Sequence, residues 1–457
     1  MKSLIALSGL GLLSLFSEIF RFKRLLRPLV LIGLAICTGL LVSEWNSPGT
    51  YFKGMYVVDH FSIAFGVLMT AITLCCFLLS SSFFSSESNA VDRSALVVFS
   101  LIGALCMASF ANLIMLFLGI EILSVSLYVL AGSEKSNLAS NESALKYFLM
   151  GAFATGFLLF GIAMVYGATG SFDLVAIAEA VSAIGSSQSP LLITGLFMML
   201  IAMTFKVAGA PFHYWAPDVY QGAPTPVTAF MSTVVKTAAF AAFFRLFQTA
   251  FVSISGEWAQ TLSVIAGLSI LLGNLSAVAQ TNIKRMLAYS SIAHAGYMLM
   301  AVVSMSAVAQ GSLFFYATTY AVSSLSAFFI LLIISNKTGT ETTDGFRGLA
   351  RKNPMLAILT IAAMLSLAGI PPTGGFFAKY YIFTSSLDAG QLPLVLIAVA
   401  GSLVGVYYYF RPLMALFSQP DDKPVTTAPV ETIVLICLSL VGLALGVAPA
   451  FMAGLLS

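Results

Sequence analysis

Thr204 to Phe240 reads TFKVAGAPFHYWAPDVYQGAPTPVTAFMSTVVKTAAF. An unbroken apolar run beginning at Leu191 leads into it, and Lys206 stands at the end of that run. Prolines at 211, 217, 224 and 226 then deny the backbone amide donors, and Lys236 falls inside the next apolar run. Pro226 suits the first turn of a helix. Lys236, ten residues on, therefore lies about 15 Å along that helix. A hydrophobic helix that stops, runs irregularly and resumes with a cation on each side is unlike a soluble core element, and the rest of the chain shows what surrounds it.

Charged residues make up 9% of the 457 positions and hydrophobic ones 59%, where a soluble domain carries about 25% charged. The chain is an integral membrane protein. Runs long enough to cross about 30 Å of hydrocarbon, roughly 20 residues each, occur fourteen times: 2–20, 28–44, 57–80, 91–108, 110–131, 143–167, 191–221, 225–250, 257–278, 283–305, 308–335, 354–388, 391–417 and 428–453. Open sheet edges cannot face lipid, and these runs are too long and too uniformly apolar for barrel strands, so they are helices. The fold class expected is an all-α polytopic membrane protein of about 14 transmembrane helices. The intervening loops leave no room for a separate soluble domain.

The basic cluster Arg21, Lys23, Arg24 and Arg27 follows the first run instead of preceding it, so that run is not a cleaved signal peptide. Assigning the 21 Lys and Arg residues to alternate sides of the fourteen spans places 15 on one side, 3 on the other and 3 within spans. Such a bias marks the richer side as cytoplasmic, and both termini then face out. The net charge of +3 reflects this topology and not nucleic-acid binding. The five cysteines lie in apolar runs without metal-ligand spacing, and no Walker loop or dinucleotide fingerprint follows a strand. The sequence thus carries no means of handling electrons or ATP, and energy for any work must come from elsewhere.

Four charges lie where lipid should be. Glu121, in LFLGIEILSVSLYVL, is ten residues past Ala111, and Lys379, in GIPPTGGFFAKYYIF, is nine residues before Asp388; both are about 14–15 Å deep. Lys206 and Lys236 complete the set. A single lysine near a span end reads as snorkelling, and one carboxylate with one lysine as a structural ion pair. Four such charges, each costing at least about 2.5–3.5 kcal/mol at a helix centre, point to an ion or proton path. A buried lysine near a carboxylate can take up and release a proton as their separation changes. His294, in LAYSSIAHAGYMLMA with Ser290 and Ser291 beside it, is either a hydrogen-bonded packing residue or a proton carrier. Glu142 and Lys146 read as a solvated i, i+4 pair, and His213, Trp215 and Asp218 as residues that hold the broken segment in place.

Irregular backbone at membrane depth is tolerated only when buried in protein or lining a water-filled cavity. The seventh span is interrupted between Gly209 and Pro226 and the twelfth at GIPPTGG, Gly369 to Gly375. Counting either as two crossings would scramble the charge bias. The two breaks are five spans apart, and an odd offset inverts orientation, so the chain reads as two inverted five-helix repeats, spans 4–8 and 9–13. The corresponding divisions are an N-terminal three-helix segment at 1–90, repeats at 91–250 and 257–417, and a last helix at 428–457. Each repeat could form a half-channel open to one side.

KVAGAPFHYWAPDVYQGAPTPVTAF, LFLGIEILS, ESALKYFLMGAFATGFLLFG, NIKRMLAYSSIAHAGY and GIPPTGGFFAKYYIF together resemble the antiporter-like proton-translocating subunits of respiratory complex I. The resemblance covers most of the chain and is weakest over the first three spans. By position it makes Glu121 the family's fifth-helix glutamate, Lys206 the lysine of the broken seventh helix, Lys236 that of the eighth and Lys379 that of the broken twelfth. It implies that Lys206 releases a proton when its interaction with Glu121 is altered. The proton would travel through Lys236, with His294 and water, to Lys379 as exit gate. It further implies neighbouring antiporter-like and small membrane subunits in a bacterial cytoplasmic membrane. No cofactor is expected in this chain, while FMN and iron–sulfur clusters in other subunits would carry electrons from NADH to quinone. Of the family's paralogues, one would carry a glutamate where Lys379 stands, and another continues into a long lateral helix that this chain, ending at Ser457, lacks. Cation/proton antiporter subunits and membrane-bound hydrogenases share the lysine and glutamate pattern and form the alternative reading. A scaffold whose buried charges only position neighbours is a third.

The charge asymmetry makes a direct prediction. A reporter fused after Ser457 should read as external and one inserted near Gly339 as cytoplasmic, and the reverse result for either would break the span count.

Overall fold

The computed structural model describes residues 1–20, 23–85, 89–184, 189–306, 308–419, 424–450 and 454–456. Arg21, Lys423 and Ser457, which enter the topology argument, lie outside these. Among the described residues, eleven helices are long and apolar enough to cross a bilayer. The other three of the fourteen apolar runs, the first, seventh and twelfth, are built from shorter helices.

In chain order the elements are α1 (Lys2–Phe16), α2 (Lys23–Ser43), a hairpin of β1 (Gly49–Tyr51) and β2 (Tyr56–Val58), α3 (His60–Leu79), α4 (Ser81–Ser85), α5 (Ala90–Ser109), α6 (Leu113–Ala131), α7 (Leu138–Thr169), α8 (Leu174–Ile184) and α9 (Pro190–Lys206). The broken region follows as α10 (Trp215–Gly222) and α11 (Thr225–Phe230), joined through a π-helical turn at Met231–Val235 to α12 (Lys236–Ala250). Then come α13 (Ser255–Val278), α14 (Ile283–Ser304), α15 (Ala309–Thr338), α16 (Leu349–Lys352), α17 (Pro354–Ala368), α18 (Gly374–Asp388), α19 (Leu392–Leu416) and α20 (Pro429–Val447). The chain forms two compact units, one of Met1–Ala208 with Val234–Leu262 and the other of Gly209–Thr233 with Ser263–Ser457.

Local rules explain the element ends. Asp59 caps α3 by accepting from the Ser62 amide at 2.7 Å, while the Ser62 hydroxyl accepts from the Asp59 amide, a reciprocal capping box. Asn112, Asn137, Asn282 and Asn353 cap α6, α7, α14 and α17 more simply, each side-chain oxygen accepting from one first-turn amide. Prolines open α9, α17 and α20 in their first turn, where a missing amide costs nothing. α8 was not counted among the spans; it is an 11-residue helix, too short to cross.

In the first unit α5 is largely buried and packs against α1, α3, α6 and α12. The Arg245 guanidinium of α12 donates to Asp59 at 2.8 Å, tying α12 to the start of α3. In the second unit α14 and α15 are buried almost throughout, with α17, α18 and α20 around α15. α7, α19 and α20 expose apolar faces, among them Phe153, Leu403 and Ile433, as lipid-facing helices do.

α5 and α6 approach so closely that position 103 must lack a side chain: a Cβ there would lie 2.5 Å from the Leu123 amide nitrogen and 2.6 Å from the Gly119 carbonyl. Both obstacles are backbone, so neither can swing aside, and small residues let membrane helices meet in this way. Gly103→Ala should therefore push α6 outward and destabilise the protein by about 1–3 kcal/mol. A thermal melt of the detergent-solubilised protein that matched the parent would show that the two helices can part without cost.

Candidate functional site

Each broken helix ends beside a lysine. α17 closes with a reciprocal pair of turns: the Gly369 amide donates to Ser366 O at 3.1 Å and the Ile370 amide to Leu365 O at 3.0 Å. This is the Schellman arrangement, with Gly369 at φ +83°. It leaves the last carbonyl, Ala368 O, without a helical partner. The Lys379 ammonium, reaching back from α18, donates to it at 2.7 Å and to the Ser402 hydroxyl at 2.8 Å. The same ammonium lies 5.4 Å from the Tyr297 ring centre, within cation–π range. Gly369 is favoured for a second reason, since a Cβ there would come within 2.8 Å of Lys379 Cδ and 3.0 Å of its Nζ and push that side chain aside. Gly375 lets α18 begin against α17, where a Cβ would strike Ser366 O.

Lys206 is the last residue of α9, again at the negative end of a half-helix. Its ammonium donates to Ser124 Oγ on α6 at 2.7 Å, and one turn earlier on α6 the Glu121 carboxylate accepts from the Thr155 hydroxyl of α7 at 2.8 Å. Among the described residues Lys206 and Glu121 form no direct ion pair. A cavity of about 20 Å³ lies among Ser124, Tyr128, Thr155 and Lys206. That is enough for a single water, and the hydroxyls supply the partners a buried water needs. Lys236 is the first residue of α12, directly after the π-helical turn, and is 3% exposed; such turns concentrate at functional positions in helices.

His294 sits in α14 between two tyrosines, Nδ1 to Tyr316 Oη at 2.8 Å and Nε2 to Tyr409 Oη at 3.1 Å. Tyr409 is in turn hydrogen-bonded to Ser290. His294 and Lys379 line one cavity of about 10 Å³ with Tyr316, Ser323 and Ser366. The structure thus brings Glu121 near Lys206 in the first unit, and His294 to Lys379 in the second. Lys236 stands on its own helix. Glu142 and Lys146 form an exposed ion pair at 2.7 Å.

The broken segment is held from α14. Arg285 donates from one nitrogen to Asp218 Oδ1 and Gln221 Oε1, both at 2.9 Å. Lys284 donates to the Ala223 carbonyl at the end of α10, at 2.7 Å. Asp218 therefore does hold the segment, through a partner the sequence did not supply. Lys284, counted on the cytoplasmic side at the start of the tenth span, is 3% exposed. It gains the same kind of partner as Lys379, a spare helix-end carbonyl. The Nδ1 of His213, 5% exposed, has no partner. Sequence reasoning passed over Ser124, Thr155, Ser402, Tyr316 and Tyr409, although Ser124 lies three residues beyond Glu121 on one helix face and so within reach of whatever that carboxylate meets.

The sequence model described as NADH:quinone oxidoreductase/Mrp antiporter, TM, matches residues 110–405. The NADH-quinone oxidoreductase subunit N of Cytophaga hutchinsonii is 46% identical over 428 residues, 93% of this chain and 92% of that protein. The chain belongs to the subunit N family. The Flavobacterium johnsoniae subunit N is 39% identical across the full length of both chains. A chain of respiratory complex I from Thermus thermophilus superimposes with a TM-score of 0.85 at 35% identity, covering 100% of this chain and 99% of that one. The Mrp complex of Dietzia sp. matches with a TM-score of 0.86 at 21% identity over 99% and 94% of the two chains, a likeness of fold. These matches to subunit N relatives run through both broken helices, since they cover nearly the whole chain.

Because Gly369 and Lys379 share one space, Gly369→Ala should cost about 1–2 kcal/mol in backbone strain and move the ammonium off Ala368 O. A cryo-EM structure of the variant in which Lys379 kept both hydrogen bonds would break that link.

Proposed function

We propose that this chain is the proton-translocating membrane subunit of a bacterial NADH:quinone oxidoreductase, coupling electron transfer in other subunits to proton export. Flavin, iron–sulfur clusters and the NADH and quinone sites belong to those subunits, and neighbouring antiporter-like and small membrane subunits are its partners. It lies in the cytoplasmic membrane with both termini outside, and its helices group as two inverted five-helix repeats. The observation that carries this reading is the pairing of each interrupted helix with a lysine whose ammonium meets hydroxyls beside a cavity of water size. The subunit N relatives add the assembly.

The chemistry follows from the contacts. Lys206 holds its proton against Ser124 while Glu121 is bound by Thr155. A rotation of either side chain, or a water in the cavity beside Lys206, changes the field of the carboxylate at the ammonium. An approaching carboxylate favours the charged lysine, and a receding one lets the low-dielectric surroundings expel the proton. Lys236 is the next acceptor. In the second unit Lys379, with His294 on the same cavity, receives the proton and passes it outward. His294 can donate at one nitrogen and accept at the other, and both nitrogens have a hydroxyl to exchange with.

The likeness to the Mrp fold favours one competing reading, a cation/proton antiporter subunit without redox partners. Co-purification with flavin and iron–sulfur subunits in mild detergent separates the two.

Glu121→Gln keeps the shape and the Thr155 bond but removes the charge, so the complex should assemble and translocate protons poorly. Lys206→Arg should do worse than a charge count suggests, because a guanidinium does not give up its proton. Lys379→Ala should lower proton translocation with normal assembly, and Lys379→Glu should retain part of it. Quinone reduction and the proton gradient, followed together in reconstituted vesicles, decide the matter: wild-type pumping by an assembled Glu121→Gln complex would remove that residue from the path, and by Lys379→Ala would place the exit elsewhere.

A further inference from the structure

The cavity shared by His294 and Lys379 does not end at α18. Ser323 of α15 and Ser366 of α17 line it, and both also line a second cavity of about 10 Å³ on their far side. Between the two spaces the Ser323 hydroxyl donates to Ser366 Oγ at 2.7 Å. The partition is thus a hydrogen bond between two hydroxyls, each of which can donate and accept, and a proton can pass along such a bond. Thr373, within the helix break, Ser326 of α15, and Ser439 and Gly442, on α20, also line the second cavity. Ser439 Oγ is buried and has no partner. A buried hydroxyl normally finds one, and a space of this size, at the lower limit for one water and bordered by Ser323, Ser366 and Ser439, is where a water would supply it.

We infer that a hydrated branch leaves the Lys379 site through Ser323 and Ser366 and ends at Ser439 on α20, and that a water held there exchanges protons with Lys379. The branch rests on the proton-translocation reading above and adds α20 to it. Ser439 is a positioning residue: it holds the water and does not itself meet the lysine. The occupant is water because no carboxylate, thiol or imidazole lines the second cavity, so a metal ion would find only hydroxyls there, and because its volume admits nothing larger.

Position 442 offers a clean test, since a Cβ on this buried glycine meets nothing within 4 Å. Gly442→Ala therefore takes up cavity volume without a clash, whereas Ser439→Ala removes the hydroxyl without filling the space. The intact complex carrying each variant, and Lys379→Ala as reference, is reconstituted in vesicles. Proton yield per NADH is measured, and a cryo-EM map of the parent is inspected for water at Ser439. Water density on Ser439 Oγ is expected, together with normal assembly and proton translocation lowered about two- to tenfold in both variants, the range that loss of one hydrogen bond converts to. Ser439→Thr, which keeps the hydroxyl, should restore it. A dry cavity, or parental proton yield in Ser439→Ala and Gly442→Ala while Lys379→Ala pumps poorly, overturns the branch and leaves the main reading standing. Parental yield in Lys379→Ala overturns both.

Discussion

The bond on which the rest of the structure depends is the one from the Lys379 ammonium to the Ala368 carbonyl. An uninterrupted helix has no spare acceptor at membrane depth, and a lone lysine there costs at least about 2.5–3.5 kcal/mol. Interrupting the helix creates a negative end inside the protein. Two hydrogen bonds from a charged donor are each worth about 1.5–3 kcal/mol, and the helix terminus adds about 0.3–1. The two sides of this balance are of the same order. A site that must hold a proton and also part with it requires that near equality, and a fully compensated ion pair would not offer it. Lys284 of α14 repeats the arrangement at the end of α10, donating to the Ala223 carbonyl.

Hydroxyls, and not carboxylates, make most of the direct contacts to the buried cations and to His294. A hydroxyl can donate or accept, so it stays bonded whichever partner carries the proton. Ser124 and Ser402 serve the lysines, Thr155 serves Glu121, and Tyr316 and Tyr409 serve His294. A direct contact between Glu121 and Lys206 would gain more Coulomb energy in a low-dielectric site but would fix the proton. Holding the two apart on separate hydroxyls keeps the carboxylate as a field acting on the lysine. The clamp of Arg285 on Asp218 and Gln221 answers a different need: α10 is only 8 residues long, too short to be stable by itself.

Much of this was legible in the sequence, and for identifiable reasons. Apolar runs of span length are a one-dimensional signal, so all fourteen were visible, including a first that forms one short helix and two, the seventh and twelfth, assembled from shorter helices. Glu121, Lys206, Lys236 and Lys379 stood out because a charge in an apolar run has no background. Prolines marked the breaks. What escaped notice lacked such contrast. Serine and threonine recur throughout the spans, so nothing separated Ser124 or Ser402 from the hydroxyls that merely bond to their own helix, as Thr73 and Thr360 do. The π-helical turn ahead of Lys236 inserts no marker residue. The grouping of Gly209–Thr233 with the second unit, away from the residues on either side, depends on tertiary packing that local patterns do not encode.

The close approach of Gly369 to the Lys379 side chain also bears on how such a subunit can evolve. Ten residues apart in the chain, the two positions occupy one volume, so neither can be exchanged without regard to the other. A side chain at 369 obliges the lysine at 379 to move aside, and the backbone turn at 369 asks for glycine whatever stands opposite. Change at this site is therefore directional: shortening 379 leaves the turn at 369 intact, whereas a side chain at 369 displaces the ammonium opposite. The ionisable group can thus be exchanged while the turn that cradles it persists.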